Sequence, residues 1–141
     1  MTASDRCRGS QRGSASIWAL LVTAGAFTVL LGLVVDGGHV IDARLESSRS
    51  AAQAARVAAD ALSQSSVRDG GDDVAAGAAA ERARAYLREA GMTGTVRVGG
   101  DSATVTVTGR SDTEILGVIG IDSFPIHETG TARAITEEDN P

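Results

Sequence analysis

The spacing of apolar positions changes along this chain. From Ser14 to Val35 no residue is charged, and Arg12 and Asp36 close the run at either end. A helix rises about 1.5 Å per residue, so a run of this length matches the roughly 30 Å hydrocarbon layer of a bilayer. A plain span, a cleaved export signal and the stem of a membrane assembly can all begin this way. An export signal usually has an apolar core of about 7–15 residues followed by a small-residue cleavage site. Ala24-Gly25-Ala26 supplies such a site, but a cut there leaves FTVLLGLVV at the new terminus. None stands at Val34-Val35-Asp36. A retained transmembrane helix over residues 14–35 is therefore expected. Within it Ser16, Ala24, Thr28 and Gly32 fall at multiples of four. Such a stripe of small residues lets helices approach closely in lipid.

Beyond Asp36-Gly37-Gly38 the spacing is helical again. Ile41, Leu45, Ser48, Ala52, Ala55, Ala59 and Leu62 recur at intervals of four and three, which marks one seam on a helix. Asp42, Glu46, Arg49, Gln53, Arg56 and Asp60 form a polar row beside it. A seam made mostly of alanine gains little from burial, but it admits a neighbouring backbone at close range. If Gly37-Gly38 only bends the helix, it runs from about Ser16 to Ser63, roughly 70 Å.

Asp69-Gly70-Gly71-Asp72-Asp73 breaks the pattern. Asp72 or Asp73 can cap a second helix over about Val74–Ala90, with Gly91 as its stop. Ala75, Ala79, Ala83 and Leu87 repeat along it at four. The period then becomes two. Thr95–Val98 and Ala103–Thr108 alternate across Gly99-Gly100-Asp101-Ser102, which predicts a hairpin with Val96, Val98, Val105 and Val107 inward. Residues 113–121 read as a short apolar helical turn and residues 124–135 as a third strand. Residues 136–141 form an acidic tail, expected to be disordered.

Composition narrows what such a chain can do. The net charge is −5, which gives nucleic-acid binding no electrostatic support. All 13 basic residues are arginine. Arg6, Arg8 and Arg12 precede the run, and the next is Arg44, so residues 1–13 are expected to be a cytoplasmic leader. Residues 36–135 are then extracytoplasmic. One cysteine, Cys7, excludes an internal disulfide.

The order of these pieces resembles type IV pilin-like proteins, and more specifically the TadE/TadG-like family of the tight-adherence (Flp) pilus system of actinobacterial type. Arg12-Gly13-Ser14-Ala15 opens the span and Val35-Asp36-Gly37-Gly38 closes it. AQAARVAADAL, residues 52–62, is similar to the family's helix, and ATVTVTG, ILGVIGID and GTARA follow in the family's order. The resemblance implies an α+β, pilin-like domain: a long N-terminal helix continuing outward, a second helix and a small three-stranded antiparallel sheet. It implies a single-pass protein of the cell membrane whose partners are the membrane and other pilus-assembly or pseudopilin subunits. It also implies a possible prepilin-peptidase cut between Gly13 and Ser14. Family substrates usually carry Glu five residues after the cut, where this chain has Trp18. That departure favours an uncut, membrane-retained assembly component over a filament subunit.

Candidate chemistry is sparse. Asp36, His39 and Asp42 stand three apart, but they read as a polar collar at the membrane surface rather than metal ligands. DGGDD lacks the spacing and terminal Glu of a calcium loop. His127 lies mid-strand, the serines of SQSS and SDT have no nucleophile context, and Gly99-Gly100 precedes no helix. No enzyme, cofactor, metal site or small-molecule substrate is expected. The alternatives to an assembly component are a membrane-tethered binding module and a minor pseudopilin incorporated into a filament.

Overall fold

The computed structural model describes residues 11–66 and 72–135, with side chains described for residues 14–64 and 74–135. The leader residues 1–10, part of the DGGDD loop and the tail 136–141 lie outside the described residues. The fold is α+β. Helix α1 spans Gln11–Ser66 and α2 spans Asp72–Glu89; strands β1 (Thr93–Gly99), β2 (Ser102–Asp112) and β3 (Ser123–Arg133) follow. A short 3-10 turn, Leu116–Ile119, sits between β2 and β3. The strands form an antiparallel sheet in the order β1-β2-β3.

One uninterrupted helix thus carries both the apolar run and the first helix of the domain. No proline lies within it, and Gly37-Gly38 does not break it. Two adjacent glycines cost a helix about 1 kcal/mol each relative to alanine. Here the turns above them are held by packing on β3, β2 and α2.

The core lies where α1 crosses the sheet. α1 packs on β3, β2 and α2, and α2 packs on β1. Ala51, Ala54, Ala55, Ala58, Ala79, Ala83, Ala103, Val105 and Val107 are buried in one cluster. Small side chains are required there because the backbones nearly touch. A Cβ on Gly130 of β3 would stand 2.5 Å from the backbone of Ala51 and Ala52. Each buried methyl contributes about 0.8 kcal/mol, so the helix–sheet contact depends on many small terms.

The hairpin follows the period-two expectation. Gly99 pairs with Ser102, leaving Gly100-Asp101 as a two-residue turn with Gly100 at φ 57°. Val105 and Val107 are buried, whereas Val96 and Val98, on edge strand β1, are half-buried. The opposite face is a threonine lattice in which Thr104 and Thr106 hydrogen-bond with Thr131 and Thr129 at 3.2 and 3.1 Å. α2 ends at Gly91, φ 68°, with the Met92 N–H donating to the Leu87 carbonyl at 2.8 Å.

The expected seam on α1 is displaced at the end nearest the apolar run. Ala55, Ala59 and Leu62 are buried and Ala52 is half-buried, but Ile41 is 68 % exposed and Leu45 47 % exposed. The stripe that faces the domain passes instead through Gly32, Asp36, Val40, Ala43, Ser47, Ala51, Ala54 and Ala58. Alanine surrounds the upper helix, so apolar spacing alone does not choose a face. The sheet chooses it, at the point where Gly130 permits contact.

Candidate functional site: the Asp36 junction

Asp36 stands where the uncharged run ends, yet its side chain is 0 % exposed. A carboxylate at such a boundary requires donors. They come from far along the chain. The Glu114 N–H donates to Oδ1 at 2.9 Å, the Ile115 N–H to Oδ1 at 3.3 Å and to Oδ2 at 3.1 Å, and the Leu116 N–H to Oδ2 at 2.7 Å. These amides open the 3-10 turn, where a helix has no internal acceptors for them. Burial pushes the Asp36 carboxyl up. The bonds from Leu116, Glu114 and Ile115, with a weaker attraction from His39, more than offset that and hold it below the usual carboxylate range.

Gly32, one turn earlier on the same side of α1, makes the approach possible. A Cβ there would stand 2.8 Å from Ile115 Cγ2 and 3.2 Å from Leu116 Cδ2. The β2–β3 connection is therefore pinned twice to the end of the apolar run, by charge at Asp36 and by shape at Gly32. Its own base is closed where the Thr113 N–H donates to the Asp122 carbonyl at 3.0 Å and the Thr113 hydroxyl to the Ile121 carbonyl.

Compared with models of known protein families, with curated proteins and with solved structures, the chain matches none. What the junction can do is read from its geometry alone. It holds no nucleophile paired with a base. It ties the β2–β3 connection to the lower half of α1.

The other residues singled out by sequence are dispersed. Gly13 and Ser14 lie in the first turns of α1. His39 and Asp42 are exposed, and both oxygens of Asp36 are engaged by amides. Among the described residues no group of three or more His, Cys, Asp or Glu is placed to hold a metal ion. His127 is exposed on β3, opposite Thr108. A shallow cleft of about 260 Å³ between α1 and the sheet is lined by Glu46, Ser47, Arg110 and Ile126 among others. Sequence reasoning saw Asp36 as a collar residue and missed its role as a clasp. The available signal was a lone carboxylate in register with Gly32, Val40, Ala43 and Ser47.

Proposed function

We propose that the chain is a non-catalytic, single-pass membrane component of a tight-adherence-like pilus assembly or secretion machine, working by helix packing with partner subunits. The observation that carries this reading is the continuous helix Gln11–Ser66, the one described helix long and apolar enough to cross a membrane. A simple tether needs no helical register between anchor and domain; a subunit that docks against neighbours does. The clasp at Asp36 adds to that register. The alanine face is occupied by the chain's own α2 and sheet, which leaves Ile41 and Leu45 outward for a partner helix. The arginines before the span, Arg6, Arg8 and Arg12, support a domain outside the cell. In this reading the leader stays uncut.

Removing the gene from its cell and counting surface pili tests the role. Loss of pili, restored by the full-length protein, supports an assembly component; unchanged pili overturn it. Fractionation separates the variants of the reading. An assembly component stays in the membrane with other subunits, whereas a pseudopilin appears with sheared filaments as a chain beginning at Ser14. A chain beginning at Phe27 overturns the retained span. Protease added to wall-stripped cells should remove the domain beyond Asp36 if the orientation is right.

A further inference from the structure

The segment between Glu114 and Asp122 reads ILGVIGI and carries no charge. Two of its side chains, Ile115 and Leu116, are spent on the contact with Gly32. The others face outward: Val118 is 86 % exposed, Ile119 55 % and Ile121 41 %. Three aliphatic side chains on one short turn form a patch that water does not favour, and among the described residues none covers it.

Its height decides what does. Gly32 lies three residues inside the end of the uncharged run, about 4–5 Å along the helix axis. Because Ile115 and Leu116 touch Gly32, the turn is already alongside the apolar run and not above it. The clasp between Asp36 and the 114–116 amides holds it there. We propose that Val118, Ile119 and Ile121, at the tip of the β2–β3 connection, enter the outer leaflet beside the span and give the domain a second lipid contact. This rests on reading Ser14–Val35 as a membrane span. The acids Glu114 and Asp122 stand at the base of the tip, at headgroup level, so hydrocarbon rather than anionic headgroups is what the tip seeks. Three side chains are also far short of the roughly 800 Å² per partner of a stable protein interface. Interfacial apolar segments settle about 5–10 Å into the headgroup–acyl boundary, which this placement matches.

Full-length protein in neutral phosphatidylcholine vesicles tests the proposal. Trp18 is the sole tryptophan, so Trp18→Phe with Val118→Trp places one indole at the tip. Brominated acyl chains should remove roughly half of its emission, while aqueous iodide leaves it unchanged. Quenching by iodide instead overturns the proposal, because the tip is then in water. Quenching by neither also overturns it, because protein then covers the tip. The unmodified chain, with its indole at Trp18, is the control for the span. If bromolipid quenches Trp18 but not the indole at position 118, the span stands and the tip contact falls. If it quenches neither, the span reading falls and the tip contact with it.

Discussion

The two halves of α1 are one helix built for two surroundings. In the lower half large aliphatic and aromatic side chains, such as Trp18, Leu21, Phe27 and Leu31, point outward and are uncovered by the described residues. In the upper half the covered side chains are mostly alanines, with Ser47 and Leu62 among them. The large residues stand where nothing described in the chain fixes their shape, on a stretch long and apolar enough to cross a membrane. The small ones serve where another backbone fixes the distance. Asp36 and Gly32 mark the change of regime, because there the β2–β3 connection reaches back onto the apolar run. Volume is therefore tolerated below and forbidden above.

That contrast is tested hardest at Gly130. Its position leaves no room for a Cβ against the Ala51–Ala52 backbone. Gly130→Val should cost about 3 kcal/mol or more, since backbone and not a flexible side chain must give way. Thermal unfolding of the detergent-extracted protein measures it. A midpoint within a degree or two of the wild type would mean that helix and sheet are not in contact there. Ala55→Leu tests the same idea from the helix side, at about 1–3 kcal/mol. Its counterpart Ala26→Leu, in the outward-facing lower half, should leave the domain's unfolding unchanged.

At the junction the expected effect is smaller and depends on pH. Asp36→Ala leaves the Glu114, Ile115 and Leu116 amides without their acceptor and should lower the unfolding midpoint by roughly 5–10 °C. Asn, which keeps one acceptor oxygen, should recover part of this. The folded-state carboxyl is held below its unfolded value of about 3.9, so the clasp's contribution is fully present above that pH. It is lost as pH falls through the lower folded value. Limited proteolysis of residues 113–122 should accelerate on acidification in the wild type. In Asp36→Ala it should already be fast at neutral pH. A wild-type rate that is flat from neutrality to well below pH 3.9 would contradict the clasp.

The elements legible in the sequence are those whose signals are local. Gly100-Asp101 between alternating valines and threonines specifies the hairpin, and Gly91 specifies where α2 stops. The uncharged run specifies the lower half of α1. The facing of the upper half was not legible. Alanine occupies 51, 52, 54, 55, 58 and 59, so no side of that stretch is marked as inner. A glycine eighty residues away in β3 makes the choice. The clasp was illegible for a related reason. Its acceptor, Asp36, is a visible residue, but its donors are backbone amides, which every non-proline residue carries and no sequence pattern announces. A buried carboxylate can be read as needing a partner; which amides answer it depends on the fold.

A small effect on folding is also expected at Ile41 and Leu45, and it sharpens the comparison most. Both sit above the apolar run, yet they keep the outward, large-residue habit of the lower half. Exposed aliphatic residues contribute little to the chain's own stability, so Ile41→Ser with Leu45→Ser should shift unfolding by less than about 0.5 kcal/mol. The same pair should matter for association. If a partner helix continues the packing upward from the membrane, the double variant should lose partner subunits on gentle membrane extraction while remaining folded and inserted. Ala55→Leu should show the reverse, with reduced stability and an intact outward surface. Equal loss of stability from both would mean that the outward face of α1 also belongs to the domain's core. Full retention of partners by the double variant would place association elsewhere, leaving the small-residue side of the span as the surface to test next.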